Sequence, residues 1–182
     1  MTPMDQLMAA MPHILAAPKD ATTARQLMFR PGRNLREERD ELVLTMAEGI
    51  PGDRYLTEPW LRLADGSPDP GIQVSILPAR VHDLVRPDPA AAVHPGDPII
   101  ADLDTSEANL PEGAVLQAGS AKLRVSSIFN DGCAKWKVRY GRDAYDWLTL
   151  PDHIPLRLRG ILCAVIEDGV IRQGDPIRVL SR

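Results

Sequence analysis

A mainly β fold, a closed or nearly closed barrel with a few short peripheral helices, is what this sequence predicts. Three observations carry the expectation. Short apolar or alternating runs recur along the chain, each bounded by Gly, Pro or Asp, as strands are. The 17 Pro and 13 Gly are spread through the chain rather than gathered in one tract, which marks many turns between short elements. Long helical periods between the apolar runs, which a βαβ architecture would need, are not visible.

From the N-terminus, Met4 to Leu15 reads as a short helix ended near Pro12, with Leu7, Met8 and Met11 packing on the body. Strands are expected in "ELVLTMAEG" (41–49), "IQVSIL" (72–77), "DPIIADL" (97–103), "AKLRVSSIF" (121–129), "PLRLRGILCAVIEDG" (155–169) and "DPIRVL" (175–180). In "VIEDGVIR", Asp168-Gly169 between two apolar runs is a two-residue hairpin signal. Helices are expected over Ala79–Val85 and just after Cys133. "HPGDPIIADL" and "RQGDPIRVL" share Gly-Asp-Pro-Ile, a repeated strand entry, and "RPDPAAAVHPGD" (86–97) reads as an exposed loop.

The 182 residues suffice for one core, so one domain is expected: a barrel over residues 25–182 behind an N-terminal extension, residues 1–24. A net charge of −4 gives no global field for nucleic acid or an anionic membrane, so an anion site must be local. No apolar run approaches the roughly 20 residues of a membrane span, and the N-terminus lacks the basic leader of a signal peptide. Two cysteines make no disulfide framework, and a cytoplasmic location is expected. The four histidines lack metal-site spacing, and no P-loop, Rossmann or Gly-x-Ser-x-Gly motif occurs.

The densest candidate is "NDGCAKWKVRYGRDAYDWL" (130–148). A helix capped by Asn130 or Asp131 would put Cys133 in its first turn, where dipole and free amides favour a thiolate. Helical spacing then puts Lys135, Arg139 and Arg142 on one face and Trp136, Tyr140 and Trp147 on the next. Gly141 weakens that helix or breaks it in two. The alternative for Cys133 is a buried packing residue; Cys163, among Ile161, Leu162 and Val165, reads as core. "GIPGDRY" (49–55) offers Asp53 and Arg54 on a Gly-rich turn, for an anion contact or a plain turn. Arg30 and Arg33 of "RPGR" read as a solvated turn, and Arg157 and Arg159, alternating with leucines, as a pair on one solvated face. Gln73, polar within an apolar run, must be hydrogen-bonded or face a ligand.

Taken together, three stretches resemble the MOSC domain, the module at the C-terminus of molybdenum cofactor sulfurases and in stand-alone bacterial proteins. "RPGRNLREERDELVLTMAEGIPGDRY" followed by "QVSIL" is similar to its opening, "LPEGAVLQAGSAKLRVSSIFNDGCAKW" to its central strands and cysteine, and "LRLRGILCAVIEDGVIRQGDPIRVL" to its closing strands. The resemblance implies a β-barrel in which Cys133 carries the chemistry. Its sulfur would be carried as a persulfide, or would ligate molybdenum in a pterin-cofactor reductase of N-hydroxylated compounds. Gly52, Asp53 and Arg54 match the family's GDR segment and Gln73 its strand glutamine, while Lys135, Arg139 and Arg159 would meet a phosphate-bearing pterin. The chain departs from the pattern at "IIADLDTSEAN", where Asp102 falls near an expected asparagine, so no pterin contact is carried over there. Pyridoxal phosphate would belong to a separate cysteine desulfurase serving as sulfur donor; a redox partner is the corresponding expectation for a reductase. The competing expectation is a non-catalytic barrel that binds a small anionic ligand or a partner protein.

Overall fold

The computed structural model describes residues 1–182. Its strands in chain order are β1 (Ala21–Phe29), β2 (Glu37–Arg39), β3 (Glu41–Leu44), β4 (Val74–Pro78), β5 (Ile99–Ala101), β6 (Val115–Ala118), β7 (Ala121–Val125), β8 (Ile161–Glu167), β9 (Gly169–Arg172) and β10 (Pro176–Ser181). The helices are α1 (Met4–Ala9), α2 (Met11–Leu15), α3 (Ala79–Val85), α4 (Ala134–Tyr140) and α5 (Arg142–Leu148). No helix is long and apolar enough to cross a membrane.

Seven strands close a barrel in the order β10-β6-β7-β8-β4-β5-β1, with β1 pairing back to β10 and carrying β2 at its far end. Closure leaves no bare strand edge within the ring. Pleating sorts the side chains of its wall. On β4, Val74 and Ile76 enter the barrel interior with Ile99, Leu123, Cys163 and Ile177, while Leu77 joins Ile100 in a second cluster outside. That outer cluster holds Trp136, Tyr140 and Trp147 against the barrel with Leu7 and Ile14, so helices, and not solvent, cover this part of the wall.

Several details differ from the sequence expectations. The N-terminal helix is two helices, because Pro12 starts α2 rather than ending α1; its missing N–H costs nothing in a first turn. Leu7 and Ile14 are buried there, but Met8 is exposed. β1 begins at Ala21, inside the segment expected to precede the barrel. The hairpin expected at Asp168-Gly169 does not form: only Asp168 separates β8 from β9, and β9 pairs with β3, where Ile171 and Val170 find Leu42 and Val43 as partners. β4 and β5 are a parallel pair joined through α3, a single crossover unit in an otherwise antiparallel barrel.

Candidate functional site

Ser75 and Leu162 are cross-strand partners on β4 and β8, and both point away from the barrel interior. With Ile72 they line a cavity of about 530 Å³, outside the wall and partly under α4. The cavity is therefore on the flank of the barrel, in the size range of small-molecule sites. Its other walls come from segments distant in sequence: Arg30 at the end of β1, Arg36 before β2, Arg54 after β3, Pro95 to Asp97 before β5, Asn130 to Arg139, and Arg159 before β8.

Cys133 lines this cavity and is exposed; Cys163 is fully buried in the barrel. The expected cap is displaced by two or three residues. Cys133 is itself the N-cap of α4, in an extended conformation (φ −91°, ψ 169°), and its carbonyl accepts from the Trp136 and Lys137 amides. Asp131 accepts from the neighbouring Gly132 amide, and Asn130 donates to the Arg159 carbonyl, which ties this segment to β8. Gly141, at φ +97°, breaks the expected helix in two. That break removes Arg142 from the cationic face: it leads α5 and pairs with Asp146, whereas Lys135 and Arg139 line the cavity. The aromatic face is as expected, with Trp136, Tyr140 and Trp147 buried.

The electrostatics are one-sided. Six cations line the cavity, Arg30, Arg36, Arg54, Lys135, Arg139 and Arg159, against the carboxylates of Asp97 and Asp131. Arg30 is held by both oxygens of buried Asp53 at 2.8 Å. Arg159 donates to Asp97 at 2.8 Å and lies 4.8 Å over the Trp136 ring. Arg36, Arg54, Lys135 and Arg139 have no carboxylate partner. Burial, and then the Arg139 charge, lower the pKa of Arg36; burial and Arg30 lower that of Arg54. Partial desolvation lowers Lys135, and Arg54, Arg33 and Arg139 push it the same way while Cys133 opposes them. Arg36 Nε is buried with no acceptor. Such crowded like charges disfavour one another until an anion joins them.

Of the residues the sequence singles out, the fold brings Arg30, Arg54, Cys133, Lys135, Arg139 and Arg159 together around one cavity, and Arg30, expected on a solvated turn, is instead largely buried against Asp53. Five others stand elsewhere. Gln73 is buried and committed at both ends, donating to the Met46 carbonyl and accepting from the Val165 amide, so it is a cross-link and not a cavity residue. Asp53 acts behind Arg30 and also accepts from the Tyr55 amide, while Gly52 supplies the turn before it at φ +77°. Arg157 takes a left-handed conformation (φ 47°) and donates to the Leu110 carbonyl, so it does not share a face with Arg159. Asp102 pairs with Arg80.

Sequence reasoning missed Arg36, Asp97, Trp60 and Phe129 as cavity residues. Asp97 had a signal: it stands in the repeated Gly-Asp-Pro-Ile entry, just before a wholly buried strand. The matching Asp175 only closes a local turn with the Arg172 amide, whereas Asp97 is buried and accepts from Ser75 and Arg159. The loop expected to be solvated over residues 86–97 is thus buried from His94 onward.

Solved structures share this fold. The YuaD protein from Bacillus subtilis aligns over 89% of this chain and 97% of its own, at 19% identity and a TM-score of 0.59. YiiM from Escherichia coli aligns over 88% of this chain and 70% of its own, at 19% identity and a TM-score of 0.57. A third structure, of a hypothetical protein, aligns over 90% of this chain and 69% of its own at 21% identity and a TM-score of 0.56. At these identities the likeness is one of fold, a closed seven-stranded barrel with short peripheral helices. No family model matches the sequence, and no curated protein is significantly similar to it.

Proposed function

We propose that this chain is a MOSC-type module that carries sulfur on Cys133 as a persulfide. One observation carries the reading: the exposed thiol opens on a cavity where Arg36, Arg54, Lys135 and Arg139 have no carboxylate partner. A persulfide is a soft anion, and unpaired cations beside it stabilise that anion and any acidic acceptor that comes to collect the sulfur. The sulfur would come from a separate pyridoxal-phosphate cysteine desulfurase. The test is intact mass of protein purified without reductant. One added sulfur atom, labile to cyanide and lost in Cys133→Ser, supports the carrier; wild-type protein that accepts no sulfur from a desulfurase and L-cysteine overturns it.

A second reading is favoured by the size of the cavity and by two exposed aromatic side chains that line it, Trp60 and Phe129. A phosphate-bearing pterin is larger than a sulfur atom, and these residues fit a molybdenum cofactor: Cys133 as the soft ligand, and the four cations without a carboxylate partner for the phosphate. When bound, the cofactor would supply the two-electron chemistry that reduces an N-hydroxylated compound, with a redox partner as electron source. Near-stoichiometric molybdenum and pterin in protein from a cofactor-making host, abolished by Cys133→Ser, decides for this reading. A protein that holds neither sulfur nor metal, and whose ligand binding survives Cys133→Ala, is a non-catalytic anion-binding barrel.

A further inference from the structure

The cations around Cys133 are more than a persulfide requires. Cys133, Lys135, Arg54 and Arg139 line one cavity, so an anion held by the two arginines shares that space with the thiol. Arg36 in turn couples to Arg54 and Arg139. Three of the four are guanidinium groups, whose planar fork matches the oxygens of a tetrahedral oxyanion. Against them the cavity sets Asp131, and Asp97, which is already paired with Arg159.

We propose that the cavity binds a small sulfur oxyanion carrying a transferable outer sulfur, of the thiosulfate and thiosulfonate class, and loads Cys133 from it directly. This rests on the carrier reading above and adds a small-molecule donor to it. The Cys133 thiol gives its proton to solvent, and the thiolate attacks the outer sulfur of thiosulfate. A bond forms between Sγ and that sulfur as the S–S bond of thiosulfate breaks. The bonding pair departs with sulfite, and Cys133 keeps an anionic persulfide. The step is a displacement at sulfur, balanced without any outside oxidant or reductant. Its obstacle is charge, because a thiolate must approach a dianion and release another. Arg54, Arg139, Lys135 and Arg36 remove that obstacle where they stand, by neutralising the oxyanion before and after the bond exchange.

Protein freed of reductant is incubated with sodium thiosulfate alone. One sulfur atom added to Cys133 by intact mass, an equivalent of sulfite in solution, and thiocyanate formed on adding cyanide are expected. Cys133→Ser forms none of these. Arg54→Gln and Arg139→Gln, checked for unchanged circular dichroism and thermal midpoint, each raise the KM for thiosulfate about tenfold. Loading from a desulfurase and L-cysteine is measured in parallel. Sulfur taken from the desulfurase and not from thiosulfate overturns this inference and leaves the carrier reading intact, while no loading from either source ends both. Thiosulfate turnover that survives Cys133→Ser, or that both arginine variants leave unchanged, also overturns it.

Discussion

Asp97 and Arg159 meet at 2.8 Å in the wall of the cavity, and each is the other's only opposite charge within salt-bridge distance. Asp97 is 2% exposed, so its carboxylate is anionic there because Arg159 and the Ser75 hydroxyl offset its desolvation. Desolvation raises its pKa, yet Arg159 and Ser75 together bring the net shift below the usual carboxylate range. The same guanidinium covers Trp136, which links the barrel strand β8 to the helix that presents Cys133.

Arg159→Ala therefore strands a buried carboxylate and uncovers an indole. The expected loss is about 3 kcal/mol of unfolding free energy. Urea denaturation at pH 7 checks it. Asp97→Asn in the Arg159→Ala background should recover part of the loss, since the neutral amide is cheaper to bury than an unpaired charge.

Cys133 and Cys163 should differ sharply towards iodoacetamide. Cys163 is fully buried, and desolvation pushes its thiol up to about 12, so neither access nor ionisation favours it. Cys133 is exposed beside cations. At pH 7.5 in native buffer, peptide mapping should find Cys133 alkylated at least about a hundredfold faster. Equal and slow labelling would remove the chemical role given to Cys133.

Gln73 separates a structural from a ligand-binding role. Its amide bridges Met46 and Val165, so Gln73→Leu leaves a buried amide and a carbonyl without partners. A loss of about 1–3 kcal/mol is expected, with sulfur loading per folded molecule unchanged. Reduced loading at full stability would place Gln73 back in the site.

The parts of the fold legible in the sequence are those whose signal is local. β4, β5, β8 and β10 are short apolar runs with Gly, Asp or Pro at their ends, and α3 follows directly from β4. β1 escapes notice because "ATTARQLMF" carries Arg25 and Gln26 at its centre and has no Gly within it. The partner of β9 is equally hidden: Asp168-Gly169 reads as a hairpin signal, but whether Ile171 meets β8 or Leu42 is decided by packing far along the chain. The site divides in the same way. Cys133, Lys135 and Arg139 belong to one stretch and are read together, whereas Arg36, Trp60 and Asp97 reach the cavity from separate loops, and no periodicity records which way a loop residue faces.

His94 gives the fold an acid limit near the cavity. It is buried, its Nδ1 accepts from the Gly96 amide, and its ring lies 5.2 Å from that of His82. Burial is the main cause that lowers its pKa to about 3; Asp97 opposes the shift, while His82, Arg86 and Arg36 add to it. A group with a depressed folded pKa stays neutral in the native state while the unfolded chain takes up a proton below 6.5. Its contribution to stability is present above pH 6.5 and is lost as pH falls towards 3. The slope from this residue is at most about 1.4 kcal/mol per pH unit. His82 is lowered by burial too and adds in the same direction, although Asp83 opposes its shift. Urea midpoints from pH 7 to pH 4 should fall steeply for the wild type and less steeply for His94→Asn. Since Pro95 to Asp97 follow His94 into the cavity wall, thiol accessibility at Cys133 should change over the same window. An identical acid slope in the two proteins would show that His94 is not the group that sets it.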